Sequence, residues 1–193
     1  LTLEQKKIYF DILVKIGFKE IEIGFPSASK DDYDFCRHLI DNKLIPDDVM
    51  ISVLVPARPD LVVKTMHALR DVPKATVHFY VATSDLHREH VLGKSHADVI
   101  DMCTATVQAI KEEASKLSES KFYLEFSPEE FTDTDLDFAI EVCDHVIDQW
   151  QPAADEKVIL NLPATVERRP PTHYADMIEL FKRRLKSEQA IIS

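Results

Sequence analysis

The chain contains 193 residues, and its 45% hydrophobic and 30% charged content is typical of a globular domain with one sizeable core. The formal net charge of −11 argues against a partner with a phosphate backbone, which requires a basic face, so we expect no nucleic-acid ligand. No apolar run approaches the roughly 18–20 residues that span a bilayer, so no membrane partner is predicted either. The first residue is Leu1 rather than Met, and we expect the numbering to begin inside a longer protein.

The first predicted element is a helix that begins with a capping box, in which Thr2 is followed by Gln5. Gly17 ends this helix at a position where a left-handed backbone is favoured. Apolar side chains recur along one stripe of the helix, and the spacing predicts that this stripe is buried. Its members are Ile8, Ile12, Leu13 and Ile16.

Short apolar runs follow, each about one strand long and rich in Ile, Val, Phe or Tyr, and stretches with helical spacing separate them. The predicted strands are Ile21–Phe25, Met50–Val55, Ala75–Val81, Lys121–Phe126 and Val158–Leu162, with a further strand that begins at Ala190. The predicted helices after the first are centred on 33–40, 61–69, 99–117, 136–150 and 174–185.

Strands that alternate with helices indicate parallel pairing through right-handed crossovers, so the fold class is predicted to be α/β. Two folds have this pattern, the open doubly wound sheet and the closed barrel. A dinucleotide-binding open sheet needs a glycine-rich turn after a strand. The chain has only three glycines, Gly17, Gly24 and Gly93, and they are far apart. The sequence therefore favours the TIM (β/α)8 barrel.

The three cysteines, Cys36, Cys103 and Cys143, are widely separated, and each falls in a predicted helix. An odd number at wide spacing favours buried, reduced thiols over a disulfide framework. We therefore expect a reducing compartment, the cytoplasm, while an organelle stays open.

Polar side chains share one face of three predicted strands, towards their carboxyl ends. Because alternate residues of a strand point to the same side, parity identifies the members of each set. In a barrel the reactive groups gather at these strand ends, so the pattern predicts a small-molecule site, with ordinary hydrogen-bonded core residues as the alternative. The sets are Thr76, His78 and Tyr80; Glu125, Ser127 and Glu129; and Asn161 and Thr165, with Pro163 between them.

Other candidate groups have simpler interpretations. His87, His90 and His96 have no Cys or carboxylate at ligand spacing, so we predict solvated loop histidines rather than a metal site. Ser84 has no His–Asp partner that can be identified from sequence. Glu20 and Glu22 alternate with isoleucines in the first strand, and a structural salt bridge is the predicted role for either.

Several segments resemble one family, the 2-isopropylmalate synthases. They include the string from Gly17 to Ser29 (GFKEIEIGFPSAS), the run 77–80 (VHFY), the run 126–129 (FSPE) and the string Asn161–Glu167 (NLPATVE). The resemblance covers essentially the whole chain. It implies that residues 1–193 are an incomplete catalytic domain, a partial TIM barrel with strands 2 to 6 and the start of strand 7. The first and last strands of the chain are then expected to be sheet edges.

The family resemblance also implies an acyltransferase reaction, a Claisen-type condensation of acetyl-CoA with 2-oxoisovalerate. Glu129 would be the catalytic glutamate, and Thr165 would hold the carboxylate of the keto acid. The residues implied to line the substrate pocket are Leu54, His78, Tyr80, Ser127, Asn161 and Pro163.

A divalent metal, Mg, Mn or Zn, is implied by the same resemblance, with its ligands outside this chain, and the full enzyme is expected to be a homodimer. This chain alone is expected to be inactive. The alternatives are a non-catalytic barrel fragment and a related homocitrate or citramalate synthase.

Overall fold

The computed structural model describes residues 1–193, which form six strands and seven α-helices. The strands are β1 (Glu20–Glu22), β2 (Met50–Pro56), β3 (Lys74–Ala82), β4 (Lys121–Glu129), β5 (Val158–Leu160) and β6 (Ala190–Ile192). The helices are α1 (Leu3–Ile16), α2 (Lys30–Asp41), α3 (Pro59–Ala68), α4 (Asp85–His87), α5 (His96–Ser115), α6 (Leu136–Trp150) and α7 (Pro171–Arg184). None of these helices has the length and apolar character needed to span a membrane.

All six strands lie in one sheet, and each is the hydrogen-bonded neighbour of the next strand along the chain. The β1–β2, β4–β5 and β5–β6 pairs are parallel. Consecutive order distinguishes this sheet from a doubly wound sheet, in which the strand order reverses at a switch point. The predicted α/β class and the partial TIM barrel are therefore confirmed. As predicted, the first and last strands, β1 and β6, are the two edges.

The chain divides into two compact units. The first comprises Leu1–His78 and Ala109–Tyr123, and the second comprises Phe79–Gln108 and Leu124–Ser193. β3 and β4 each begin in the first unit and end in the second, so the carboxyl ends of β3, β4 and β5 all belong to the second unit.

In the first unit, α1 begins and ends as predicted but buries a different face. Thr2 and Gln5 form both hydrogen bonds of the capping box, and Gly17 adopts the left-handed backbone with φ 107°. The predicted buried stripe is wrong, because Ile8, Ile12 and Ile16 are exposed. The buried side chain is Phe10, whose ring meets Phe35 of α2 edge-on at 6.4 Å between centroids. Spacing identifies an apolar stripe but does not show which side of the helix has a packing partner.

The segment after β1 turns sharply towards α2. β1 ends at Glu22 rather than at Phe25, although the backbone N–H of Ile23 still bonds the Ser52 carbonyl at 2.9 Å. Gly24 has φ 120°, and a Cβ atom there would lie 2.9 Å from Oδ1 of Asp32, so this position requires glycine. Ser29 then caps α2 by accepting a hydrogen bond from the Asp32 N–H.

Two pairs of phenylalanine rings pack in the core of the second unit. Phe79 of β3 and Phe126 of β4 lie with their ring centroids 4.7 Å apart, and Phe131 meets Phe181 of α7 edge-on at 5.6 Å. All four rings are fully buried.

The three cysteines are free and buried, as predicted. Cys36 lies in the first unit, and Cys103 and Cys143 lie in the second. Burial raises the pKa of Cys36 to about 12, and it also raises the pKa of the other two thiols. They therefore stay protonated and behave as small apolar side chains.

Candidate active site

Polar residues of β1 and β3 pair within the first unit. The imidazole of His78, which is buried, has its Nδ1 atom 2.6 Å from Oε2 of Glu22. Two residues earlier on each strand, the Thr76 hydroxyl donates to Oε1 of Glu20 at 3.1 Å. The strand parity that groups Thr76 with His78 therefore agrees with the contacts. Of the structural salt bridges predicted for Glu20 and Glu22, Glu22 has an ionisable partner in His78, whereas the partner of Glu20 is the neutral hydroxyl of Thr76.

Leu54 shares a face of the sheet with this pair, although parity in its own strand was not used to predict it. Glu22 is the register partner of Ser52 in the parallel β1–β2 ladder, so these two residues point to the same side. Leu54 lies two residues further along β2 and is half-buried, whereas Val53 and Val55 on the opposite side are fully buried. Because Leu54 is apolar, the search for polar side chains of shared parity could not identify it.

In the second unit, Glu129 is the last residue of β4, and its backbone is held firmly. The backbone N–H and the hydroxyl of Thr83 both donate to its carbonyl oxygen, each at 3.1 Å. Burial raises the pKa of the Glu129 carboxyl; the charge of nearby His87 lowers it, and the charge of Glu130 raises it. Glu129 thus has the perturbed environment expected of a proton-transfer group.

Tyr80, from β3, is close enough to Glu129 for the two groups to interact electrostatically. The phenol is half-buried, and this burial, together with the negative charge of Glu129, raises its pKa. Tyr80 therefore stays a neutral phenol beside the glutamate.

Ser127 and Asn161 meet where β4 and β5 run side by side. Phe126 is the register partner of Leu160, so the residues that follow them are also neighbours. The side-chain amide of Asn161 donates to the Ser127 hydroxyl at 3.0 Å, and this contact fixes the orientation of the amide. Pro163 is half-buried two residues further on. The parity prediction is consistent with this contact between the second and third polar sets.

Thr165 lies in the segment after β5 and is exposed. Its hydroxyl oxygen accepts a hydrogen bond from the backbone N–H of Glu130 at 3.0 Å. The hydroxyl proton points elsewhere in such an arrangement, because the oxygen is the acceptor. Thr165 can therefore donate this proton to an anionic ligand while its position is held by the segment after β4.

Glu130 and Ser84 complete a cluster that strand parity did not identify. The buried Ser84 hydroxyl donates to Oε2 of Glu130, and Nδ1 of His87 lies 3.6 Å from Oε1 of the same carboxylate. Glu130 directly follows Glu129, the last residue of β4, and this acidic doublet was the available sequence signal. Parity assigned a role only to the first member, because the strand ends there.

The three loop histidines have different surroundings. His87 lies beside Glu130, His90 is exposed, and His96 stacks on Phe138 with ring centroids 3.8 Å apart. Among residues 1–193, no group of three or more His, Cys, Asp or Glu side chains is arranged to hold a metal ion.

Comparison with known proteins gives one consistent family. The HMGL-like family model matches residues 1–193. A protein of Acetoanaerobium sticklandii named 2-isopropylmalate synthase is 50% identical over 190 residues, which is 98% of this chain. Proteins of the same name from Clostridium acetobutylicum and Schizosaccharomyces pombe are 48% and 46% identical, over 100% and 97% of this chain.

The chain spans about a third of the length of these curated relatives: 34%, 35% and 33%, respectively. The chain therefore belongs to the HMGL-like family.

Proposed function

We propose that the complete protein carrying this chain condenses acetyl-CoA with 2-oxoisovalerate and releases 2-isopropylmalate and CoA. The observation that carries this proposal is the 50% identity, over 98% of the chain, to a relative named 2-isopropylmalate synthase. The geometry supports it, because a perturbed carboxyl and a neutral phenol lie near the carboxyl ends of β4 and β3, and a hydrogen-bonding threonine follows β5, all in the second unit. Activity is proposed for the complete protein and not for these 193 residues alone.

In this reaction Glu129 is proposed to act as the base that accepts a proton from the acetyl group. The methyl group of the acetyl thioester loses a proton, and the resulting carbon nucleophile adds to the keto carbon. Water then cleaves the thioester and CoA leaves. A carboxyl whose pKa is raised by burial is a better base than an ordinary glutamate. Its main chain, fixed by Thr83, limits the motion of the carboxylate to its side-chain torsions.

Thr165 is proposed to bind the carboxylate of the keto acid. Its oxygen already accepts the Glu130 N–H, so the hydroxyl proton can be donated to a carboxylate oxygen. The remaining assignments are carried by the family resemblance and stay predictions. They place Leu54, His78, Tyr80, Ser127, Asn161 and Pro163 in the substrate pocket.

The divalent metal implied by the family would polarise the keto oxygen when bound. Residues 1–193 do not fit such an ion on their own, because they contain no group of three suitable ligands. We propose that its ligands lie outside residues 1–193. The proposed assembly is a homodimer of the complete protein in a reducing compartment, the cytoplasm.

The test is CoA thiol release by the purified complete protein with acetyl-CoA, magnesium or manganese, and one keto acid at a time. We expect turnover with 2-oxoisovalerate to exceed turnover with pyruvate and with 2-oxoglutarate. A preference for pyruvate or 2-oxoglutarate would instead support a citramalate-type or homocitrate-type synthase. Absence of turnover with all three keto acids would contradict the proposed chemistry.

A further inference from the structure

Glu130 makes contacts with three successive loops of the second unit. Its carboxylate accepts a hydrogen bond from Ser84, in the segment after β3. Its backbone N–H donates to Thr165, in the segment after β5, at 3.0 Å. Its carbonyl accepts from the hydroxyl of Thr134, in its own loop, at 3.0 Å. One residue thus joins the loops that carry both proposed catalytic and carboxylate-binding groups.

The conformation of Glu130 is unfavourable for this residue type. Its φ of 61° lies in the left-handed region, which side chains with a Cβ atom avoid. Its carboxylate is also largely buried, with 17% of the side chain exposed, and it lies next to the carboxyl of Glu129. Local strain and adjacent like charges persist where the surrounding structure imposes them, and they concentrate at functional sites.

The left-handed residue has a geometric consequence for Glu129. It ends β4 abruptly, so that Glu129 keeps its strand conformation and its paired carbonyl while the chain turns away. The Ser84–Glu130 hydrogen bond fastens this turn to the segment after β3, which also supplies Thr83 to the Glu129 carbonyl. The turn therefore determines both where the Glu129 side chain starts and where Thr165 is held.

We propose that the side chain of Glu130 is a positioning group for Glu129, acting through its hydrogen bond to Ser84, while the backbone N–H of Glu130 holds Thr165. This inference rests on the proposed function, because it assigns Glu130 a role in the same reaction. Glu130 does not touch the reacting atoms. Its carboxylate oxygen is needed as an acceptor for Ser84, and the negative charge itself is not.

The competing interpretation is that the Ser84–Glu130 hydrogen bond only stabilises the loops. A merely structural bond would lower the unfolding temperature on removal but leave kcat of the folded enzyme unchanged. A positioning bond would lower kcat with little effect on KM for the keto acid. It would also tolerate glutamine, which keeps an acceptor oxygen for Ser84.

The experiment uses the complete protein with the variants E130Q, E130A, S84A and S84A/E130A, and with E119Q as a control that removes an exposed carboxylate. We expect E130A and S84A each to lower kcat by about tenfold to a hundredfold, as small misplacements do. KM for 2-oxoisovalerate should change by less than about threefold, and E130Q should keep kcat within about threefold of the parent. The double variant should be no slower than the slower single variant, because both remove the same bond.

Circular dichroism and thermal unfolding of each variant identify any that fails to fold, and E130Q and S84A remain informative if E130A does not. The inference is overturned if folded S84A and E130A turn over at the parental rate, or if E130Q is as slow as E130A. An inactive parent protein would contradict the proposed function first. If the parent protein is active and the variants have the same kcat as the parent, only the positioning role is contradicted.

Discussion

Replacing Glu129 by glutamine in the complete protein is expected to change activity and stability in opposite directions. The substitution keeps the size of the side chain but removes its charge and its ability to accept a proton. Positioned acid–base groups contribute about 10²–10⁴-fold to rate, which corresponds to about 2.7–5.4 kcal/mol of transition-state stabilisation. We expect kcat to fall by this factor, with a much smaller change in KM for 2-oxoisovalerate.

The stability effect follows from the raised pKa of the Glu129 carboxyl. A carboxyl whose pKa is higher in the folded state than in the unfolded state favours folding in its protonated form. That contribution is fully present below the ordinary value of 4.5 and is lost as the pH rises through the folded-state pKa. At neutral pH the ionised Glu129 therefore destabilises the fold, and glutamine removes this penalty. We expect E129Q to unfold at a higher temperature than the parent at pH 7, with a difference that shrinks as the pH falls through the folded-state pKa of Glu129.

Three charged or titratable groups face Glu129 and enter this pH dependence, namely His87, Glu130 and Tyr80. The charge of His87 opposes the effect of burial on the pKa of Glu129, because a cation favours the ionised carboxylate. The assay is CoA thiol release at saturating substrate, together with thermal unfolding at pH 5, 6, 7 and 8, and E119Q is the matched control. An E129Q protein with parental kcat, or one less stable than the parent at pH 7, would refute the reasoning.

Two further substitutions test other parts of the site and the fold. T165V should raise KM for 2-oxoisovalerate by about tenfold to a hundredfold, since a hydrogen bond to a charged group contributes about 1.5–3 kcal/mol. The control is T172V, which changes a threonine on the exposed surface of a helix. An unchanged KM in T165V would contradict the carboxylate-binding role. F126A should lower the free energy of unfolding by about 3–5 kcal/mol, because a fully buried ring beside Phe79 is removed. F18A, which truncates an exposed ring, should lower the free energy of unfolding by less than about 0.5 kcal/mol. Urea titration measures this free energy for F126A and F18A, and similar losses in the two variants would show that the core is wrongly assigned.

The fold could be predicted from the sequence because each element has a local cause. The capping box at Thr2, the left-handed Gly17 and the apolar runs of strand length specify where helices and strands begin and end. Scarcity of glycine excluded the dinucleotide-binding sheet. What local pattern could not specify was the buried face of α1, because Ile8, Ile12 and Ile16 have the spacing of a core stripe but no partner covers them in this chain.

The candidate site was predicted to the extent that strand alternation governs it. Parity groups Ser127 with Glu129 and Asn161 with Thr165, and the Asn161–Ser127 contact is consistent with it. It also groups Thr76 with His78, whose partners Glu20 and Glu22 lie on another strand of the same unit. Parity fails after the strand ends, which is why Glu130 and Ser84 were missed. Their contact depends on a left-handed turn and on a loop 46 positions away, and neither follows from alternation.

The backbone contacts of the second unit explain why substitutions around Glu129 should act on rate more than on affinity. Its carbonyl accepts two hydrogen bonds from Thr83, and the next residue along the chain is bonded to Thr165 and Ser84. Because the main chain is fixed on both sides, the carboxylate can move only through its own torsions. Loosening the bonds made by Thr83 or Ser84 leaves the hydroxyl of Thr165 in place but widens the distribution of carboxylate positions. Such widening lowers the fraction of complexes with the base in line for proton transfer, and that fraction enters kcat rather than KM.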